Sequence, residues 1–123
     1  MKLDRSCFKL PACRSAMRLV HAVYDITAHF PDNEKSGMIS MLRRTSTRIP
    51  TILADSHYQQ DPDESVRRLA TAEDTLRELY SYLDIAERLR LARRWRFRRP
   101  RRRAQATAAS LDQMRERILE SGD

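Results

Sequence analysis

The sequence predicts an all-α fold, an antiparallel four-helix bundle of up-down-up-down topology, and three observations support this. Only two of the 123 residues are glycine, whereas sandwiches, barrels and nucleotide-binding loops use glycine at turns and phosphate contacts. Leu, Ala, Arg and Glu, which favour helices, are abundant. Apolar residues recur at intervals of three and four along four segments, as on one face of a helix. The length fits a single domain, residues 1–123.

The first helix is predicted over about residues 11–29, because two apolar stripes run along this segment. A helix with two apolar stripes usually has two partners, its own bundle and a second surface. The residues of one stripe are Leu10, Cys13, Met17, Val20, Tyr24 and Thr27, and those of the other are Ala16, Leu19, Val23, Ile26 and Phe30.

The second helix is predicted over about residues 36–57, after a break at residues 31–33, which contain a proline. Pro50 lies inside this helix and removes one backbone hydrogen bond. The apolar spacing continues through Ile52 and Leu53. We therefore expect a bend at Pro50 and not the end of the helix.

The third helix, predicted over about residues 62–94, has the clearest start. Asp61 suits the N-cap, Pro62 suits the first helical position, and Glu64 completes the spacing of a capping box. Pro100 is expected to end any extension of this helix, so a fourth helix is predicted over about residues 105–120. The heptad positions of the third helix are Leu69, Ala72, Leu76, Leu79, Leu83 and Ala86.

A basic segment, residues 88–103, holds ten of the chain's arginines and no acidic residue. The rest of the chain has 14 basic and 17 acidic residues, a formal charge of −3, although the whole chain carries +7. Concentrated charge of one sign attracts a polyanion, and the aromatic rings of Trp95 and Phe97 are placed to stack on a base or an arginine. The predicted nucleic-acid-binding residues are Arg88, Arg90, Arg93, Arg94, Trp95, Arg96, Arg98, Arg99, Arg101, Arg102 and Arg103, with Arg43 and Arg44 in addition.

Three other interpretations of the basic segment stay open: a solvated tail, a docking surface for an acidic protein, and contact with an anionic membrane. Arg outnumbers Lys by 21 to 3, which favours phosphate, because the planar guanidinium matches its geometry. Contact with a membrane is the weaker interpretation, because the segment has few large apolar residues. Nucleic acid is therefore the predicted partner, with an acidic protein as the alternative.

Arg43 and Arg44 have two possible roles. They extend the basic surface, or they form ion pairs with Glu73, Asp74 or Glu78 on the third helix. The second role is favoured, because a bundle of charged helices pairs such residues routinely.

The sequence offers no catalytic or metal site. His21, His29 and His57 are scattered, and no nucleophile–base pair or phosphate-cradling glycine loop is present. We therefore predict a non-enzymatic protein with no cofactor and no metal.

Cys7 and Cys13 are too few for a disulfide framework, and their spacing does not match a zinc knuckle. No long apolar run indicates a signal peptide or a membrane span. A reducing cytoplasm is the predicted location.

Several motifs along the second and third helices resemble one protein family. Residues 30–38 are FPDNEKSGM, followed by MLRR at 41–44, IP at 49–50 and LAD at 53–55, and residues 69–79 are LATAEDTLREL. This order resembles the FPxxExxGL, QLRRA, SIPxNIAEG and LxxAxGSLxEL patterns of the four-helix-bundle proteins encoded by intervening sequences in 23S ribosomal RNA genes.

The resemblance implies more than the fold. The same superfamily includes the accessory variability determinants of diversity-generating retroelements, which are basic pentameric bundles that bind nucleic acid and associate with a reverse transcriptase. By this resemblance the chain is expected to form a ring-shaped homo-oligomer, most simply a pentamer, and to hold RNA or an RNA–DNA hybrid for such an enzyme.

Overall fold

The computed structural model describes Met1 and residues 3–121, and in these residues the fold is all-α with no strand. This confirms the all-α part of the predicted fold class. The four α-helices are α1 (Pro11–Thr27), α2 (Ser40–Tyr58), α3 (Pro62–Arg88) and α4 (Arg98–Ser121). None of them is long and apolar enough to cross a membrane.

One hydrophobic core lies between the four helices. Helix α1 packs against α2 and α4, and α3 packs against the same two helices. Each helix contributes fully buried leucines, for example Leu19, Leu42, Leu79 and Leu111, and burial of one such side chain contributes about 1.5–3 kcal/mol. All six predicted heptad positions of α3 are buried, so the heptad pattern identified the core face of this helix.

Helix α2 passes through Pro50, as predicted. Pro50 is buried inside the helix, which continues to Tyr58. A 3-10 turn, Asp32–Glu34, and a π-helical segment, Lys35–Ile39, lead into α2. The Glu34 carboxylate accepts a hydrogen bond from the Met38 backbone N–H (3.3 Å). This cap satisfies one of the backbone donors that a helix start leaves without a partner.

Helix α3 begins where the sequence indicates, but with a simpler cap than predicted. The Asp61 side chain accepts a hydrogen bond from the Asp63 backbone N–H (3.2 Å), and Pro62 occupies the first turn. Glu64 does not complete a capping box; its carboxylate forms ion pairs with Arg67 and Arg68 instead.

The predicted extension of α3 to residue 94 is wrong, since the helix ends at Arg88. Arg90 has a φ of 57°, in the left-handed region. Its N–H donates to the Glu87 carbonyl (3.0 Å), and the Leu91 N–H donates to the Ala86 carbonyl (3.2 Å). These two bonds form a Schellman cap, which usually has glycine at the left-handed position. Because arginine occupies that position here, the end of α3 cannot be recognised from the sequence.

The predicted start of the fourth helix, at residue 105, is also wrong. A 3-10 turn, Arg94–Phe97, runs directly into α4, which begins at Arg98. Pro100 therefore lies in the first turn of the helix. A proline is tolerated there, because the N–H that it lacks would have no partner inside the helix.

The N-terminal segment contains a 3-10 helix, Ser6–Lys9, which packs against α1 and α2. Cys7 and Cys13 are both buried and are joined in a disulfide. This single bridge ties the 3-10 helix to the first turn of α1, a pairing that the sequence analysis did not anticipate. A cytoplasmic location stays a prediction.

Candidate nucleic-acid interface

The basic segment, residues 88–103, folds around the connection between α3 and α4. Arg88 ends α3, Arg90 and Arg93 lie in the connection, and the 3-10 turn and the first turns of α4 carry the rest. The chain reverses here, so arginines that a single long helix would have spread along its length are gathered around one turn.

Part of the basic segment is neutralised inside the protein. Arg99 pairs with Asp25 of α1 (3.0 Å), and Arg101 lies 3.2 Å from Asp84 and 3.4 Å from Glu87, both on α3. Arg88 also pairs with Asp84 (3.0 Å). Arg99 and Arg101 therefore hold α4 against α1 and α3, although an exposed pair such as Arg99–Asp25 contributes at most about 1 kcal/mol.

The Arg101 guanidinium is the centre of a small polar network between α3 and α4. It lies 5.3 Å from the centroid of the Tyr80 ring, a cation–π contact. Hydrogen bonds from Arg88 and Arg101 lower the pKa of Asp84, and hydrogen bonds with Arg101 and Gln105 lower the pKa of Tyr80. Arg101 therefore joins α4 to α3. Its sequence context does not distinguish it from the neighbouring arginines, because its partners are set by the fold.

Seven arginines of the basic segment have no carboxylate partner within the described residues. Arg96 is half-buried and forms a hydrogen bond with His29, and five others are exposed. Arg103 differs from them, because it is half-buried and its Nε has no hydrogen-bond partner in the part of the chain that is described. We call the five the unpaired arginines: Arg90, Arg93, Arg94, Arg98 and Arg102.

Three adjoining clefts surround the 3-10 turn Arg94–Phe97, and we call them the basic clefts. Their volumes are about 1060, 780 and 310 Å³. The first and second share Arg93 and Arg94, and the second and third share Trp95 and Arg98. The three clefts therefore form one continuous concave surface, and every unpaired arginine lines at least one of them.

The two aromatic residues of the basic segment have different environments. Trp95 is 58% exposed, and the Arg96 guanidinium lies 4.4 Å from the centroid of its ring. Phe97 is 0% exposed and packs against Phe30, with ring centroids 6.2 Å apart. The expectation that Phe97 stacks on a base is therefore wrong, because its ring is part of the core.

His29 is a member of this surface that the sequence analysis missed. It follows α1, and the Arg96 guanidinium donates a hydrogen bond to its Nε2 (3.0 Å). It lines both the first and the third of the basic clefts. The two residues are 67 positions apart, so no local pattern in the sequence links them.

Arg43 and Arg44 lie apart from the basic clefts. The Arg43 side chain donates to Thr27 Oγ1 (2.8 Å) and lies 4.5 Å from the centroid of the Tyr24 ring, so it joins α2 to α1. The acidic residues proposed as its partners have other contacts: Glu73 pairs with Arg115. The favoured ion pair of Arg43 with Glu73, Asp74 or Glu78 is therefore wrong; Arg43 instead links α2 to α1 through Thr27 and Tyr24. Arg44 is exposed.

The motif residues of α2 also have structural contacts. Asp55 forms an ion pair with Arg68 of α3. Ser56 is buried, and its hydroxyl donates to the Ser65 carbonyl (2.7 Å), while the Ser65 hydroxyl donates to the Ser56 carbonyl (2.7 Å). This part of the motif therefore joins α2 to the start of α3.

The three histidines do not form a cluster in the structure. His57 lies 3.0 Å from the Ser6 hydroxyl, far along the chain from His29, and His21 is exposed on α1. Across Met1 and residues 3–121, no cluster of His, Cys, Asp and Glu has the arrangement of a metal site.

The comparisons with known proteins agree with the motifs of α2 and α3. No curated protein matches the chain. The sequence profile of one family, described as 23S rRNA-intervening sequence protein, matches residues 9–113. The match covers all of α1, α2 and α3, and it extends through the basic clefts into α4. The chain therefore belongs to the 23S rRNA-intervening sequence protein family.

Proposed function

We propose that this protein is a non-catalytic accessory protein that binds nucleic acid, RNA or an RNA–DNA hybrid, on the basic clefts. One observation carries the proposal: five unpaired arginines line a continuous concave surface beside an exposed tryptophan. Charges of one sign that face solvent without partners repel one another, and a polyanion removes that repulsion.

The rest of the chain supports a local, electrostatic mode of binding. Outside the basic segment the formal charge is −3, so phosphates are attracted to one region and not to the whole surface. No base-reading motif is present in the sequence. Contacts to the phosphate backbone, which position a nucleic acid without reading its sequence, are therefore the mode of recognition that we propose.

We further propose that the helices run up-down-up-down and that several copies form a ring, most simply a pentamer. Exposed apolar residues support this, because they leave apolar surface open to solvent. They are Ile85 of α3, Leu89 directly after that helix, Phe8 of the N-terminal 3-10 helix and Tyr24 of α1. A ring would repeat the basic clefts around an axis. By resemblance to the retroelement accessory proteins, a reverse transcriptase is the protein partner that we propose.

The test is a charge-removal variant. Arg93, Arg94, Arg98 and Arg102 form no ion pair in the described structure, so replacing all four with Gln removes charge without breaking an internal contact. Binding to a labelled single-stranded oligonucleotide is measured by anisotropy over a range of salt concentrations. The slope of log K against log salt should fall in magnitude by about 3, since each phosphate contact on a single strand contributes about 0.7.

The matched control replaces four exposed arginines elsewhere, Arg5, Arg14, Arg18 and Arg48, with Gln. It removes the same net charge and should leave the slope nearly unchanged. Equal losses in the two variants would mean that binding follows net charge and not the basic clefts, which contradicts the proposal. Binding of an acidic protein, with none of nucleic acid, would support the docking alternative instead.

A further inference from the structure

We infer that the ligand of the basic clefts is single-stranded, with one base stacked on the indole of Trp95. This inference rests on the proposed function and narrows its ligand to single strands, which excludes the double-stranded part of an RNA–DNA hybrid from the indole. The inference is drawn from one observation: the exposed indole of Trp95 lies between two clefts that are lined by unpaired arginines.

Trp95 is held in place as a platform. Arg96 covers one face of its ring at 4.4 Å from the centroid, and the same guanidinium is fixed by its hydrogen bond to His29 (3.0 Å). Two residues further on, Phe97 is fully buried against Phe30. A tryptophan in a solvated tail would have no such anchors. Because the indole is oriented before a ligand arrives, stacking costs little conformational entropy.

The rest of the indole is open to solvent, since 58% of Trp95 is exposed. It lies on the boundary between the second and third basic clefts and lines both of them. Arg93 and Arg94 line the cleft on one side, and Arg102 lines the cleft on the other. A backbone that crosses this boundary would therefore place phosphates on each side of the ring and a base against it.

This geometry favours a single strand over a duplex. In a duplex the faces of the bases are covered by the neighbouring base pairs, so no base face is available to stack on the indole. In a single strand each base offers its face, and stacking on an aromatic side chain contributes about 1–3 kcal/mol per base whatever the sequence.

Trp95 is the single tryptophan of the chain, so its fluorescence reports the proposed contact directly. The intact protein is titrated with 20-nucleotide oligo(U) and oligo(dT), a blunt 20-base-pair duplex, and an abasic oligomer of the same length. The abasic oligomer carries the phosphates without the bases. We expect both single strands to quench the fluorescence, and the abasic oligomer and the duplex to leave it nearly unchanged.

Two variants separate stacking from charge. Trp95→Ala should weaken binding of the single strands by about 5- to 150-fold, with duplex and abasic binding changed less than about twofold. Trp95→Phe keeps an aromatic ring and should recover most of the affinity. Tyr58→Ala, which removes an exposed aromatic ring outside the basic clefts, should leave all these affinities unchanged. Circular dichroism verifies that each variant folds.

The outcomes distinguish this inference from the proposal on which it rests. Equal affinity for single strand and duplex, with no quenching, would overturn the stacking inference and leave nucleic-acid binding in place. Quenching by the abasic oligomer would also overturn it. An indole shielded from acrylamide in the free protein would show that a second copy covers Trp95, which contradicts the inference as well. No binding of any of the four oligomers at low salt would overturn both proposals.

Discussion

At the scale of single residues, Arg90 connects the fold to the proposed site. Its left-handed backbone (φ 57°) closes α3, and its side chain lines the first of the basic clefts. Such a conformation costs an L-residue about 1–2 kcal/mol, and glycine would adopt it freely. The protein therefore gives up stability at a position where it gains a surface charge, which is the pattern that functional sites often show.

Replacing Arg90 with Gly should stabilise the protein by about 0.5–1 kcal/mol, because the relief of backbone strain exceeds the entropy that glycine adds to the unfolded chain. Urea denaturation measures the free energy of unfolding. Arg90→Ala is the control, since it removes the charge but keeps the strain, and should be nearly neutral. A Gly variant no more stable than the Ala variant would show that the left-handed conformation carries no cost here.

The Asp84 carboxylate should make stability depend on pH. Hydrogen bonds from Arg88 and then Arg101 lower its pKa below the ordinary value of 3.8. A group whose pKa is lower in the folded state stabilises the fold above its unfolded pKa, and this contribution is lost as pH falls through the folded value. Thermal unfolding between pH 2 and 6 should therefore show less acid sensitivity in Asp84→Asn than in the native chain.

The exposed Asp112 supplies the control, as Asp112→Asn removes a carboxylate of the same type. Identical acid sensitivity in Asp84→Asn and the native protein would contradict the role assigned to the Asp84 pairs.

At the scale of elements, the helices could be predicted from the sequence more accurately than the connections between them. The heptad leucines of α3 and the cap at Asp61 were identified correctly, because the 3.6-residue period and the capping preference are local signals. The junction of α3 and α4 was not, because arginine replaces the expected glycine at position 90 and Pro100 lies in a first turn. The arginines of the candidate site were predicted from charge alone. Which of them are paired depends on the fold, which brings Asp25 to Arg99 over 74 positions and Asp84 to Arg101 over 17.

The 3-10 turn Arg94–Phe97 should depend on Phe97 as its anchor. Phe97→Ala removes a fully buried ring that packs on Phe30, and loss of such a ring costs about 3–5 kcal/mol. Urea denaturation should show this loss, and trypsin should cleave the basic segment faster. Phe97→Leu should lose much less stability, because it refills most of the volume. Full stability in Phe97→Ala would mean that the turn is not anchored by this side chain.

At the scale of the whole molecule, the fold places the charge of one short segment on one concave surface. Apolar residues stay exposed at the end of α3, among them Ile85 (45%) and Leu89 (59%), which directly follows the helix. A closed ring would bury these side chains and bring the basic clefts of several copies together. Multiple copies of a weak phosphate site on one assembly would bind a polyanion far more tightly than one copy.

The proposed ring predicts a mass of about five times 14.5 kDa by light scattering after size-exclusion chromatography and a high-salt wash. Replacing both Ile85 and Leu89 with Glu should shift the protein to the monomer, because a ring would bury two unpaired charges in each interface. The control replaces Glu116 and Glu120, exposed on α4, with Gln and should keep the mass. A native monomer would contradict the ring.

The salt dependence of binding tests the central claim most directly. Affinity of the native protein for a single-stranded homopolymer is measured from 50 to 300 mM salt. Five unpaired arginines that each meet one phosphate predict a slope of log K against log salt of about −3 to −4. A slope near zero, or no binding at 50 mM salt, would contradict the claim that the basic clefts bind nucleic acid.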